Sequence, residues 1–224
     1  MISILMPIYN GVEFFGDSLG SILGQTSAEW ELLIGINGYP AKSLVYQTVA
    51  AYLATINDPR IRLLDFPECK GKAVTLNKMV PLCQYAYVSI LDVDDIWLPT
   101  KLETQLPFIS QTENYDVVGT KCFYFGELNS NGPNIPTGDI SAFNFLEGNP
   151  LVNSSALIRR ELAYWNPAWD GVEDYDLWLR LRKEGRRFYN CNNLLVKHRI
   201  HRTSAFNAKG NHNQVASLKW EHKL

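Results

Sequence analysis

Short, unbroken apolar runs alternate with helix-patterned segments through the first half of the chain, and this alternation constrains the fold more than any other feature. Residues 2–8 (ISILMPI), 30–36 (WELLIGI), 60–65 and 86–91 read as strands. Pro7 with Asn10-Gly11 closes the first run, and Asn37-Gly38 closes the second. Between them, Phe14, Phe15, Leu19, Ile22 and Leu23 recur at helical spacing within 12–24, and helices also fit 42–56 and 71–82. A strand that is apolar at every position must be covered on both faces. A parallel sheet flanked by helices meets that condition, so the expected class is α/β.

The second half is less regular. A strand is expected at 116–125, then a loop rich in Asn, Gly and Pro over 126–139 and a short strand at 154–158. An amphipathic helix follows at 173–184, a strand at 187–197, and a helical tail beyond 210. No repeat or linker divides the 224 residues, and 46% hydrophobic content supports one sizeable core, so one domain is expected over 1–224. The net charge of -2 lacks the basic excess that marks a nucleic-acid binder. Cys69, Cys83, Cys122 and Cys191 form no C-x-x-C pair, which suits buried free thiols in a reducing compartment. No apolar run approaches the roughly 18 residues of a membrane span, and the apolar run at 2–9 is too short for a signal segment. The expectation is a soluble, cytoplasmic protein. Asn153-Ser154-Ser155 fits a glycosylation acceptor pattern, which carries no meaning without secretion.

In open α/β sheets, ligands gather beyond the carboxyl ends of strands. Asn10, Asn37 and Asp92 all fall there. The fourth run ends in Leu91-Asp92-Val93-Asp94-Asp95-Ile96-Trp97, three carboxylates within four residues. They can be a polar strand end with helix caps, Pro99 opening the next helix. A calcium loop of the EF-hand kind fails, because Ile96 and Trp97 stand where a ligand and the turn glycine belong. The third reading is a Mg²⁺ or Mn²⁺ site that carries a diphosphate. Further on, Glu173-Asp174-Tyr175-Asp176 opens the amphipathic helix, where carboxylates suit the helix dipole. Capping does not need all of them, and a carboxylate held in a cleft can act as a general base. Near the end, His198 and His201 are spaced so that they cannot both face one way on a strand, and a histidine can complete an oxygen-rich metal site.

Four ordered segments together resemble glycosyltransferase family 2, inverting enzymes of the GT-A fold. Met6-Pro7-Ile8-Tyr9-Asn10 resembles the family's opening P-x-Y-N. The Asp92–Asp95 run with Lys101-Leu102-Glu103 resembles its D-x-D-D block and following helix. Glu173 to Arg180 resembles E-D-x-D-L-W, and His198 to Ser204 resembles the closing R-x-H-x-x-S. The resemblance spans residues 2–204 and implies a mostly parallel central sheet flanked by helices. It implies a nucleotide-sugar-binding half over 1–98, an acceptor-binding half over 99–204 and a tail over 205–224.

It also implies roles. Pro7 and Tyr9 would line the base pocket, and Asp92 with Val93 would approach the nucleotide. Asp92, Asp94 and His201 would serve a Mn²⁺ or Mg²⁺ ion on the diphosphate. Asp174 would be the base that deprotonates the acceptor hydroxyl. Asp95, Ser154, Ser155, Glu173 and Trp178 would lie on the substrate side, and Tyr164, Trp165 and Trp169 are candidate stacking platforms for a sugar. The chain departs from the family at Asn37, where an aspartate commonly meets uracil, and at Leu76-Asn77, where Arg-Asn is common. Asn37 can still accept from a base N–H, and Lys72 can supply the missing positive charge. The implied reaction moves a sugar, inverting its anomeric centre, from a UDP-sugar to a hydroxyl of a glycan or glycoconjugate, which the enzyme can meet in solution or at a membrane surface. Two alternatives stand beside it. A sugar nucleotidyltransferase would need a glycine-rich basic loop that Tyr9-Asn10-Gly11-Val12 lacks, and a non-catalytic nucleotide-sugar-binding protein has no need of both Asp94 and Asp174.

Overall fold

A computed structural model describes residues 1–110, 112–202 and 211–223. Strands β1 (Ile2–Ile8) and β2 (Trp30–Asn37) are buried at every residue. Around them lie α1 (Phe15–Leu23), α2 (Leu44–Ile56) and α3 (Lys72–Met79), with β3 (Ile61–Phe66) and β4 (Tyr87–Ile90) completing the first half. The second half adds β5 (Ile96–Trp97), α4 (Lys101–Gln105), β6 (Val117–Gly126), β7 (Ser130–Asn131), β8 (Gly138–Asp139), β9 (Leu157–Arg159), α5 (Glu173–Lys183), β10 (Phe188–Ile200) and α6 (His212–Lys223).

One sheet runs through both halves in the order β3-β2-β1-β4-β9-β6-β10-β5. β3, β2, β1 and β4 are mutually parallel, β9 runs antiparallel to both its neighbours, and β10 runs parallel to β6. Alternate residues of β1 serve opposite cores. Leu5 faces a layer with Leu33, Leu76, Ile90, Trp165, Leu177 and Trp178. Ile4, Met6 and Ile8 face Phe15, Leu19, Ile22, Ile34 and Leu102. Each such side chain stabilises the fold by about 1.5–3 kcal/mol on burial. This two-sided covering is why the strand runs are continuously apolar. β3 is half-buried throughout because it forms the edge of the sheet.

Strand order reverses between β1 and β4, which opens a crevice at their carboxyl ends. Three expectations shift in detail. The 154–158 segment is a tight turn at Asn153–Ser155 before β9, because Ser155 N–H bonds back to the Val152 carbonyl at 2.9 Å. α4 starts at Lys101 behind Thr100, two residues beyond Pro99. β10 continues to Ile200, since its ladder with β6 extends to Gly126. All four cysteines are free and buried. No helix among the described residues is long and apolar enough to cross a membrane. Ser204, the last residue of the closing motif, lies outside the described residues.

Candidate active site

The chain leaves β4 and turns sharply, with Asp95 N–H donating to the Asp92 carbonyl at 3.0 Å. β5 then pairs with Val196 and Lys197 of β10, and that short antiparallel contact brings the end of β10 against the carboxylates. Asp95 is fully buried. Its Oδ2 lies 3.0 Å from His198 Nδ1, and its Oδ1 accepts the Arg199 N–H at 2.9 Å. Burial works against charging His198, but the Asp95 carboxylate outweighs it and lifts the imidazole to about 9. Asp95 therefore braces the turn and is closed off from a sugar.

Asp94 Oδ2 lies 2.8 Å from His201 Nε2. Burial, followed by the neighbouring Asp95 and Asp92 charges, pushes the Asp94 carboxyl up. Arg199 holds this residue from behind. Its Nε donates to the Asp94 carbonyl at 2.8 Å, while its guanidinium lies 4.2 Å from the Phe14 ring and 4.3 Å from that of Phe125.

Asp92 points elsewhere. Its Oδ1 is 2.5 Å from Lys72 Nζ, and its Oδ2 accepts from Asn153 Nδ2 at 3.1 Å. Burial alone would raise this carboxyl, but the Lys72 ammonium and the Asn153 amide hold it below the usual carboxylate value. Its backbone N–H donates to Ser154 Oγ at 3.2 Å.

Lys72 opens α3 and also reaches Glu173 Oε1 at 3.7 Å. Burial opposes its charge, and Asp92 and Glu173 outweigh that and raise its pKa. The backbone N–H groups of Lys72 and Ala73 donate to Asp170 Oδ1 at 2.8 and 3.3 Å, so Asp170 caps α3 across the crevice.

The acidic run at the start of α5 divides into three jobs. Glu173 accepts the Gly171 N–H at 2.5 Å and is nearly closed to solvent. Asp176 is buried against Arg180 Nε at 2.8 Å and His222 Nε2 at 3.1 Å. Asp174 stays part-exposed, with Oδ2 accepting from Asn149 Nδ2 at 3.1 Å. Burial raises the Asp174 carboxyl, partly offset by Lys72. The surplus carboxylate in the sequence is thus the one that faces outward.

At the other end of the crevice, Tyr9 is 58% exposed and stacks on Tyr39 with ring centroids 5.4 Å apart. The Tyr39 hydroxyl donates to the Tyr9 carbonyl. Gly38 has φ +74°, a conformation that favours glycine, and a Cβ there would displace the Tyr9 ring, 2.9 Å away. Asn37 is nearly buried at the end of β2, and Pro7 lies inside β1. Val93 touches the loop after β1, 3.1 Å from where a Gly11 Cβ would be. Ser154 and Ser155 are buried, with Ser154 Oγ accepting the Asp92 N–H at 3.2 Å and Ser155 Oγ donating to the Val152 carbonyl at 2.8 Å. Trp178 and Trp165 have no exposed surface, so both are packing residues and neither lines the crevice or offers a sugar platform. Tyr164 keeps an open face at 56% exposure.

The family model of glycosyl transferase family 2 matches residues 3–164. EpsE of Bacillus subtilis is 31% identical over 88% of this chain and 72% of its own length. The chain belongs to glycosyl transferase family 2. Another relative is the Escherichia coli UDP-Glc:alpha-D-GlcNAc-diphosphoundecaprenol beta-1,3-glucosyltransferase WfgD, 26% identical over 91% of this chain and 79% of its own. Among solved structures, S. aureus TarS 1-349 in complex with UDP-GlcNAc superposes with a TM-score of 0.75 at 14% identity, covering 99% of this chain and 66% of TarS 1-349. The mannosyltransferase PcManGT of Pyrobaculum calidifontis, in complex with GDP-Man and Mn2+, gives 0.72 at 14% identity over 98% of this chain and 63% of its own. Those structural likenesses concern the fold, which is GT-A.

PcManGT is described with Mn2+, and two side chains here, Asp94 and His201, are donor types that would suit a divalent cation. They offer oxygen and nitrogen side by side, and a cation there would offset the Asp95 and Asp92 charges that help push the Asp94 carboxyl up. Among the described residues, however, no three His, Cys, Asp or Glu side chains converge as a metal site. Asp92 is taken by Lys72, so substrate oxygens and water would complete the coordination. Sequence reading gave no role to Arg199, Asn149 or Asp170, and it noted His198 and Asn153 without their partners Asp95 and Asp92. The two from β10 sit in a motif already noted, but their partners are more than a hundred residues away.

Proposed function

We propose that this family 2 glycosyltransferase transfers a sugar from a nucleoside-diphosphate donor, in the first instance a UDP-sugar, to a hydroxyl of a glycan or glycoconjugate with inversion. The observation that carries the reading is the arrangement around Lys72, with the Asp92–Asp95 turn on one side and Glu173-Asp174 on the other. WfgD's name specifies UDP-Glc and a diphosphoundecaprenol-linked acceptor, and TarS is described with UDP-GlcNAc, which supports a UDP-sugar and a glycoconjugate. PcManGT's GDP-Man keeps guanine in the test, and the Asn37 amide both donates and accepts.

In this reading residues 1–98 hold the donor and residues 99–204 the acceptor. The Tyr9–Tyr39 pair stacks on the base, and Asp92 meets the ribose. Asp94 and His201 would hold Mn²⁺ or Mg²⁺, which when bound neutralises charge on the leaving diphosphate. Asp174 accepts the proton of the acceptor hydroxyl, whose oxygen bonds to the anomeric carbon as the bond to the diphosphate oxygen breaks. Base and leaving group then lie on opposite faces, as inversion requires. Burial raises the Asp174 pKa and so strengthens it as a base. The four free thiols suit a reducing, cytoplasmic setting.

The test is incubation with UDP- and GDP-sugars, with and without Mn²⁺, followed by analysis of the anomeric configuration of any product. Absence of turnover or hydrolysis with every donor would overturn the reading, and a retained configuration would overturn inversion.

A further inference from the structure

Lys101 opens α4 with no exposed surface. Its Nζ lies 2.7 Å from Gln105 Oε1, 3.5 Å from Ser89 Oγ and 3.8 Å from the centre of the Trp97 ring. Each of these three side chains donates to a different carbonyl of three consecutive residues. Trp97 Nε1 donates to Ser154 at 2.6 Å, Gln105 Nε2 to Ser155 at 2.9 Å, and Ser89 Oγ to Ala156 at 2.8 Å. The same segment meets the crevice through Asn153 Nδ2 and Ser154 Oγ, both bonded to Asp92.

We propose that Lys101 is a positioning residue for the donor site, the hub that sets the 153–156 segment and through it Asp92. The inference rests on the donor-site reading above.

The geometry leaves little freedom. Gln105 Nε2 faces two carbonyls, Val118 at 2.7 Å and Ser155, so Oε1 must meet a donor, and Lys101 is that donor. A flipped amide would set oxygen against oxygen. Ser89 spends its proton on Ala156, so its lone pair faces Lys101. Two N–H groups suffice for both oxygens. Burial pushes the Lys101 amine well below the ordinary lysine value. Chains of this kind polarise one another, and losing the hub orphans Gln105 Oε1 in a closed site.

The experiment titrates UDP and GDP with Mn²⁺ into the wild type, Lys101→Met, Trp97→Phe and the double variant Lys101→Met/Gln105→Met, and records the Tm of each. Wild type that binds neither nucleotide refutes the donor-site reading itself. With binding established, Lys101→Met and Trp97→Phe should each lose affinity on the order of tenfold, as removal of outer-shell partners does. The double variant also frees the Val118 and Ser155 carbonyls that Gln105 holds, so it should lose affinity at least as far as Lys101→Met. Wild-type affinity in Lys101→Met, in Trp97→Phe or in the double variant would overturn the proposal.

Discussion

Lys72 Nζ stands 2.5 Å from Asp92 Oδ1, and this ion pair ties the turn after β4 to the start of α3. The same nitrogen lies 3.7 Å from Glu173, so one side chain reaches both acidic segments of the site. Lys72→Met should lower nucleotide affinity by about 10- to 100-fold, the range for lost supporting partners. Calorimetry with UDP reads this, and unchanged affinity would show that the pair is a bystander.

Asp174→Asn keeps the Asn149 neighbour and removes the base. Turnover should fall roughly a hundred- to ten-thousandfold with donor affinity unchanged. A variant that turns over like the wild type would remove Asp174 from the chemistry.

The pH profile follows from the direction of the Asp174 shift. Burial raises its pKa, so on acidification the base is protonated and activity is lost at a pH above the ordinary aspartate range. The Asn149 hydrogen bond lowers that pKa. Asn149→Ala should therefore move the acid limb of kcat to still higher pH. A limb that moves downward would contradict the assignment.

Chelation should abolish turnover, and added Mn²⁺ should restore it. In His201→Ala, the Mn²⁺ needed for half-maximal rate should rise by about tenfold or more. Full activity in the presence of chelator would refute metal dependence.

Asp170 caps α3 from across the crevice, so Asp170→Ala should cost about 1 kcal/mol. That corresponds to a Tm lowered by roughly 2–4 °C for a chain of this size. Gly71 carries φ +96°, and a Cβ there would lie 3.0 Å from the Asp170 carboxyl, so Gly71→Ala should be destabilising by about 1 kcal/mol or more. Thermal denaturation of both variants checks the pair.

Much of the fold was legible because its signals are local. The apolar runs at β1, β2 and β4 needed two covered faces, and the observed strands begin and end within a residue or two of the expected bounds. Ser154-Ser155, the start of the expected 154–158 strand, read as strand because the apolar residues after it dominate the pattern. It is a turn because side chains from β5 and α4 capture its carbonyls, and those partners are about fifty residues away. Trp178 looked like a substrate contact within a motif, yet its face of α5 packs inward beside Leu177 and Leu181.

The sequence by itself determined the α/β layering, the family, and which carboxylates stand at strand and helix ends. Periodicity, turn residues and ordered motifs are properties of neighbours along the chain. Only the tertiary structure decided how the carboxylates divide their work. Asp95 is closed off by His198 and Arg199, Asp92 is paired with Lys72, Asp94 faces His201, and Asp174 is left outward while Glu173 and Asp176 are bonded inward. A carboxylate's role depends on its burial and on the charge beside it, and both are set by strands and helices that meet only when the chain is folded.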